Sequence, residues 1–408
     1  MFIARNKLKA LVGSALLSAL LGQSLAADAA TVEDAVVAGE ATRSGESAAA
    51  GAADEPPNWQ EATLSGDWGG ARKRLFDAGV QADLLYTADY LRNNSGGLQR
   101  GGAYMGHVDL VLQFDGEKLF GWKDGSGFLQ VIGNSGGRVN LYDVGSLMGV
   151  DNLEAPINRS GIFKAWLQQA FLDDKASIRF GLYPIDSEFY VTDSSGVFLH
   201  PSFGMAAEVA SFGSVAGPSI YPTSSYAARL RVDPDPAWYA MLAITRGIPS
   251  DRVATAGPNI SWQNGNGSML IGEVGFSPAK AGLINDHSVS EEKDGFEPIS
   301  KLALGLWRFS PRFPELVAVD AVGDPLMETH WGAYFLAEQT VFRVPESSRD
   351  LAAFFRYGFT DGKTNTLDYS FSVGFSFRGP FAGREKDSFG IAATRAHASP
   401  QGLSLIHI

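Results

Sequence analysis

The sequence has no cysteine among its 408 residues and only six histidines. Without cysteine there is no disulfide scaffold, no thiolate metal site and no thiol nucleophile, and scattered histidines do not indicate a zinc or haem site. Positive charge is also scarce, because 33 Lys and Arg residues face 45 Asp and Glu residues, giving a net charge of −12. Such an acidic chain is not a general nucleic-acid binder. We therefore expect no metal, no cofactor and no nucleic-acid partner.

The sequence also lacks a long apolar run, since no stretch reaches the roughly 18 residues that a spanning helix needs. The apolar stretch 10–21 follows Arg5, Lys7 and Lys9 and precedes the small-residue sequence 24–26. This arrangement is typical of a secretory signal peptide, which we assign to residues 1–26. Residues 27–57 are rich in Ala, Glu, Gly, Ser and Asp and lack the apolar surface that ordering requires, so they are interpreted as a disordered acidic linker.

One short helix is predicted after this linker. Asp67 is its N-cap candidate, and Gly79 ends it. The apolar positions close to helical spacing are Ala71, Leu75, Phe76 and Ala78.

From residue 81 onward the hydrophobic period is two, which is typical of β-strands. The last two thirds of the chain show no long helix pattern. Thirteen runs are predicted to be strands: 81–91, 104–114, 126–133, 163–171, 177–183, 226–232, 238–244, 269–276, 301–309, 330–342, 351–359, 367–377 and 389–396.

Run 367–377 is the clearest, because every second residue is large and apolar and the residues between are Asp, Ser or Gly. A soluble sandwich would bury the apolar face, whereas an outer-membrane barrel turns it toward lipid and the polar face toward a wet lumen. Export, runs of about 10 residues and aromatics near strand ends favour the barrel. The aromatics proposed as interfacial girdles are Tyr86, Tyr90, Tyr104, Trp238, Phe276, Trp307, Tyr357 and Phe377. The predicted fold is all-β, a transmembrane antiparallel β-barrel.

Several ordered motifs between Trp59 and Ala398 resemble the carbohydrate-selective porin family (OprB-type) of Gram-negative outer membranes. The motifs are Leu64–Arg72, Ser95–Tyr104, Asn152–Pro156, Asp186–Phe189 and Pro201–Gly204. The resemblance implies a sixteen-stranded barrel over residues 58–401, with a narrowed lumen that passes monosaccharides, glucose above all, by diffusion. Monosaccharides, outer-membrane lipid and the barrel assembly machinery are the partners that it implies.

The C-terminal end departs from the family pattern. Bacterial single-chain barrels have an even number of strands, whereas about 13 are counted here. Residues 403–408 match the translation of a sequencing-library adapter. We therefore expect a C-terminally truncated barrel and a non-native tail at 402–408.

A lumen selective for sugar needs fixed charged donors and acceptors, because sugar hydroxyls both donate and accept hydrogen bonds. On the predicted strand registers, Asp89 and Lys301 fall on the polar face together with eight pore-lining candidates. These eight are Arg229, Arg231, Arg179, Arg356, Glu273, Asp83, Asp109 and His107. Arg229 and Arg231 are the strongest pair, since two like charges lie two residues apart on one face. The alternative is that each arginine only pairs with a nearby carboxylate to stabilise the wall.

The long loop Arg138–Ser160 could fold inward as a constriction or lie at the surface. Trp166 and Tyr183 could offer a stacking face or belong to a girdle. No catalytic residue is assigned, because the G-x-S-x-G match at 133–137 is followed by a polar loop rather than the helix of a nucleophile elbow. The sequence predicts a non-enzymatic sugar porin, and the alternative is a secreted or surface β protein that binds or hydrolyses glycans.

Overall fold

The computed structural model describes residues 56–211, 218–247, 267–278, 299–344, 347, 349–385 and 387–406. The predicted signal peptide and nearly all of the predicted linker lie outside these residues. Short helices flank and interrupt a sheet: α1 (Trp59–Ala62), α2 (Ala71–Asp77), α3 (Gly116–Phe120), α4 (Ala207–Ala210) and α5 (Pro400–Ile406). No helix in the described part of the chain is long and apolar enough to cross a membrane.

Thirteen antiparallel strands form one sheet in which hydrogen bonds join each strand to the next in chain order. Each of the thirteen predicted runs coincides with one strand, so the all-β antiparallel prediction is confirmed. The strands are β1 (Val80–Asn93), β2 (Gly101–Asp115), β3 (Gly125–Gly136), β4 (Arg159–Phe171), β5 (Ala176–Tyr183), β6 (Ser225–Asp235), β7 (Trp238–Arg246), β8 (Ser268–Phe276), β9 (Ser300–Val319), β10 (Pro325–Arg343), β11 (Asp350–Thr360), β12 (Leu367–Arg378) and β13 (Ser388–Ala398).

The two faces of the sheet have the inverted polarity of a membrane barrel. On β12, Val373 and Phe375 are exposed, whereas Ser370, Ser372 and Ser376 are buried. The other strands also place apolar residues outward, and many of them place charged or polar residues inward. A soluble β protein would turn its exposed apolar side inward. On β7–β9 the inward side is largely apolar, with Met241, Met269, Ile271 and Phe309 buried in one cluster. We call the buried side of the sheet the inner face.

Two stretches of chain between β5 and β6, residues 184–211 and 218–224, pack along this inner face, and we call them together the inserted segment. They bond to strands as far apart as β3 and β12. Tyr221 contacts Asn134 on β3, while the carboxylate of Glu208 accepts from Ser370 on β12. Because the inserted segment contacts strands near both ends of the strand order, the sheet must curve around it.

Two local predictions are wrong. Helix α2 has Gly70 as its N-cap, not Asp67, because the two glycines 69 and 70 delay the start of the helix; the carboxylate of Asp67 accepts instead from Gln60 Nε2 at 3.2 Å. Trp307 is not a girdle residue, since its ring is 3% exposed and lies inward against Phe309 and His330.

The predicted end of α2 is confirmed, because the Gly79 N–H donates to the carbonyl of Phe76 at 2.8 Å. Residues 402–406, part of the predicted non-native tail, belong to α5. Ser399, directly before this helix, donates its N–H to the carbonyl of Thr366 in the β11–β12 connection at 2.8 Å.

Candidate functional site

Two arginines and one glutamate form a buried cluster on β5, β6 and the inserted segment. Arg179 and Arg229 are directly paired across β5 and β6, so their side chains lie on the same face. Arg229 binds both carboxylate oxygens of Glu188 at 2.9 Å, and Arg179 lies 3.6 Å from the same carboxylate. Gln168 on β4 accepts from both guanidinium groups, at 3.1 and 2.8 Å. The Arg179 guanidinium also lies 3.7 Å from the ring centroid of Trp166.

Glu188 remains ionised in this cluster. Burial raises the pKa of Glu188, but the guanidiniums of Arg179 and Arg229 lower it more, so that the net pKa is about 2. A bidentate carboxylate–guanidinium pair of this kind is strong and geometrically fixed. The cluster therefore holds the start of the inserted segment against β5 and β6.

The opposite wall holds the next part of the segment through three more charged residues. Glu338 on β10 accepts from the N–H groups of residues 193 and 194, at 3.2 and 3.0 Å. Lys301 on β9 donates to the carbonyl of Val191 at 2.7 Å. Arg356 on β11 donates to the carbonyls of Tyr190, at 2.9 Å, and of Phe203 and Gly204. These bonds satisfy backbone groups that an irregular buried segment would otherwise leave unpaired.

Glu273 on β8 lies at the centre of this wall. It accepts from the hydroxyls of Tyr239 and Tyr334, both at 2.6 Å, and from the Tyr190 N–H at 3.1 Å. A β-carbon on Gly275 would overlap the ring of Tyr239, the residue directly paired with it. Glycine is thus needed where an aromatic ring lies flat on the wall, which accounts for part of the high glycine content.

A different arrangement is found on β1–β4. Thr87, His107, Asn134 and Arg159 are directly paired, strand to strand, and so form one row on the inner face. His107 Nδ1 lies 2.5 Å from Asn134 Oδ1, and its Nε2 lies 3.1 Å from Asp109. The Tyr221 hydroxyl of the inserted segment donates to Asn134 Oδ1 at 2.8 Å.

All eight predicted pore-lining residues lie on the inner face, although their contact with a solute stays a prediction. The structure brings Arg179 and Arg229 together, and likewise His107 and Asp109. Arg231 is separate from Arg229, because it binds Asp233 of its own strand at 2.8 Å. Asp83 lies 3.6 Å from Arg72 and so links β1 to α2. Glu273 and Arg356 both hold the backbone of Tyr190.

The main inward part of the described chain is the inserted segment, residues 184–211 and 218–224, which the sequence analysis did not identify. The loop Arg138–Ser160 packs partly against the β1–β2 connection, where the Asp143 carbonyl accepts from Leu98 at 2.8 Å. It also contacts the inserted segment, through the Asn152 N–H and the Leu199 carbonyl at 2.8 Å. Trp166 and Tyr183 are both buried on the inner face, which excludes the girdle interpretation.

Sequence reasoning also missed Glu188, Gln168, Asn134, Arg159 and Glu338 as members of these clusters. Glu188 was visible only as part of the motif Asp186–Phe189, and nothing local marks it as the partner of both Arg179, nine residues before it, and Arg229, 41 residues after it. Asn134 and Arg159 became recognisable once the strand register placed them beside His107.

Known proteins share the sequence pattern and the fold of this chain. Residues 99–406 match the model of the carbohydrate-selective porin, OprB family. Porin B of Pseudomonas aeruginosa is 25% identical over 356 residues, which cover 82% of this chain and 74% of that protein. The putative porin QuiX of Acinetobacter baylyi is 23% identical over 244 residues, 55% of this chain and 54% of that protein. The high-pH structure of Pseudomonas putida OprB has the same fold, with a TM-score of 0.73 and 21% identity, and covers 85% of this chain and 81% of that chain.

Proposed function

Because the chain belongs to the carbohydrate-selective porin, OprB family, we propose that it lets monosaccharides such as glucose diffuse passively between its inner face and the inserted segment. The protein lies in the outer membrane of a Gram-negative bacterium, and porins of this family and fold are non-enzymatic channels.

The observation that carries this proposal is the neutralised charge of the inner face. Two buried arginines share Glu188, while Lys301 lies 3.6 Å from Glu273. Because these fixed charges of opposite sign pair with one another, the wall has no strong field of one sign. Such a wall suits a neutral, hydroxyl-rich solute better than an ion. The inserted segment occupies part of the cross-section, which suits a small sugar better than a large one.

The eight inner-face residues named from the sequence are proposed to lie along or to shape this path: Arg229, Arg231, Arg179, Arg356, Glu273, Asp83, Asp109 and His107. Exposed apolar side chains such as Leu304 and Leu306, each 65% exposed, would contact outer-membrane lipid. In this proposal, residues 1–26 direct export of the chain, and the barrel assembly machinery then inserts it into the outer membrane.

Liposome swelling tests the function directly. The full chain, purified from outer membranes, is reconstituted and exposed to iso-osmotic glucose, sucrose and raffinose. Heat-modifiable migration on a gel first establishes that the barrel is folded. We expect swelling in glucose that is fast relative to sucrose and negligible in raffinose. A heat-modifiable protein that swells liposomes equally in all three sugars, or in none, would contradict a narrow monosaccharide path.

A further inference from the structure

Half of the sixteen buried polar atoms that lack a hydrogen-bond partner in the described residues lie on β1–β4 and the β3–β4 loop. Two of these eight belong to Asp109, which pairs with His107, and to Trp166, which packs against Arg179. The side chains of the other six we call the β1–β4 polar patch. The atoms are Thr87 Oγ1, Asp89 Oδ2, Gln130 Oε1, Asn134 Nδ2, Asp151 Oδ2 and Arg159 Nε. A buried polar atom left unpaired is costly, so such a cluster calls for an explanation.

Most of the charged groups that hold the inserted segment have their hydrogen bonds made, although Arg179 Nη1 and Arg356 Nε each lack a hydrogen-bond partner. Both oxygens of Glu273 and both oxygens of Glu338 accept hydrogen bonds, and Arg229 donates from all three of its nitrogens. Those residues therefore have little capacity left for a solute. The β1–β4 polar patch retains that capacity.

The chemistry of the patch is mixed. Asn134 Nδ2 and Arg159 Nε are donors, whereas Gln130 Oε1 is an acceptor. The carboxyl groups of Asp89 and Asp151 lie next to each other and add further acceptor oxygens. A cation would use only the oxygens and an anion only the nitrogens, but a sugar hydroxyl uses both. Water and sugar hydroxyls can exchange at such groups with little loss of hydrogen bonding.

The orientation of Asn134 is fixed by its neighbours. Its Oδ1 is occupied by the Tyr221 hydroxyl at 2.8 Å and by His107 Nδ1 at 2.5 Å, so the amide nitrogen is the free end. The Tyr221 ring packs edge-on against His107 and Phe163, with centroids 5.7 and 5.8 Å apart. A fixed donor beside an aromatic group is an arrangement that recognises a sugar by its hydroxyl positions.

We propose that the β1–β4 polar patch is the saccharide-selective contact of the lumen, and that the cluster of Arg179, Arg229 and Glu188 is a structural anchor. This inference rests on the proposed sugar-porin function. It assigns selectivity to Thr87, Asn134 and Arg159, and it places the sugar path along β1–β4 rather than along β5–β11.

Two nearly isosteric variants test this assignment. Asn134→Asp keeps the Oδ1 acceptor for Tyr221 and His107 but replaces the free donor by an acceptor. Thr87→Val removes only the unpaired hydroxyl. The matched control is Thr394→Val on β13, whose hydroxyl is already bonded to Ser372 at 2.9 Å. The readout is the glucose concentration that half-saturates flux into liposomes, with single-channel conductance in KCl as a measure of pore size.

We expect Asn134→Asp and Thr87→Val each to raise the half-saturating glucose concentration about fivefold, the loss of one net hydrogen bond, without a matching change in conductance. Thr394→Val should leave both values unchanged. If Asn134→Asp fails the heat-modifiability test, Thr87→Val decides alone. Saturable glucose flux in the wild type with unchanged half-saturation in the folded variants would overturn the patch but keep the proposed function. No saturable glucose flux in the wild type would overturn this inference, and no glucose flux at all would overturn the proposed function as well.

Discussion

Replacing Arg356 by alanine should release the inserted segment without unfolding the wall. The Arg356 side chain is 1% exposed, and its two terminal nitrogens bond to the carbonyls of Tyr190, Phe203 and Gly204. Each of these carbonyls would lose a buried partner in the variant, at a cost of about 1–3 kcal/mol. The strand ladder of β11 uses backbone groups and would be unaffected.

The net loss is smaller than the sum of three such bonds, because lumen water can reach part of the site and the cost of burying the guanidinium is recovered. We expect the free energy that holds the inserted segment in place to fall by about 3 kcal/mol. This corresponds to roughly a hundredfold rise in the population of the detached segment. Amide hydrogen exchange of residues 190–204 measures that population directly. A wider lumen should then admit raffinose in the swelling assay.

Arg349→Ala is the matched control. Arg349, directly before β11, also bonds to two backbone carbonyls, those of Gly379 and Pro380 at 2.6 and 3.1 Å, but these lie in the β12–β13 connection and not in the inserted segment. We expect no change in exchange at 190–204 and no raffinose entry in this variant. If Arg356→Ala is heat-modifiable yet shows wild-type exchange at 190–204, Arg356 does not hold the segment and the reasoning is wrong.

Three further predictions concern single residues. Glu188→Gln should raise the anion preference of the channel, because Arg179 and Arg229 would keep their charge without a counter-ion; the reversal potential in a KCl gradient measures it, and an unchanged potential would refute the effect. In the wild type, the negative charge of Glu188 should contribute to ion preference at every pH above about 3, since the pKa of Glu188 is about 2. Burial raises the pKa of Asp151 to about 6, in spite of the Leu153 N–H bond and with the help of the charges of Asp89 and Glu154. The packed loop therefore binds a proton more readily than the unpacked loop, and its packing should weaken as the pH rises from about 4 through about 6; Asp151→Asn should remove this trend in hydrogen exchange of residues 138–158. Gly358→Ala should mimic Arg356→Ala, because its β-carbon would overlap Glu208 and Tyr190, whereas Gly272→Ala, with its nearest neighbour 3.5 Å away, should be silent; equal raffinose entry in both would contradict this.

The strands were predictable because each carries its own signal. The alternation of apolar and polar residues on β12 is visible within the twelve residues of that strand. The apolar side of such a strand faces lipid, so it needs no packing partner elsewhere in the chain. Strand β9 shows where this signal fails. Leu302, Leu304 and Leu306 are exposed, yet the opposite face is also apolar, with Trp307 and Phe309 buried. Alternation could not tell the two faces apart there, and Trp307 was placed on the wrong one.

The inserted segment was not predictable from local pattern. It is held by contacts between distant residues, such as Arg356 with Phe203, which lie 153 positions apart. The segment's own bonds to these residues are largely backbone groups, namely carbonyls at 190, 191, 203 and 204 and N–H groups at 193 and 194. Backbone groups are the same in every sequence, so no residue type marks them.

This use of backbone groups explains why buried charge alone is a poor guide to selectivity in this lumen. Arg229 and Arg231 stood out in the sequence as two like charges on one face, but Arg229 is saturated by Glu188, Gln168 and Ser177, and Arg231 is bound to Asp233. A group whose hydrogen bonds are all made can shape a path but has little to offer a passing sugar. The groups proposed to distinguish one sugar from another are therefore unpaired ones, and half of the buried unpaired atoms in the described residues lie on β1–β4 and the β3–β4 loop.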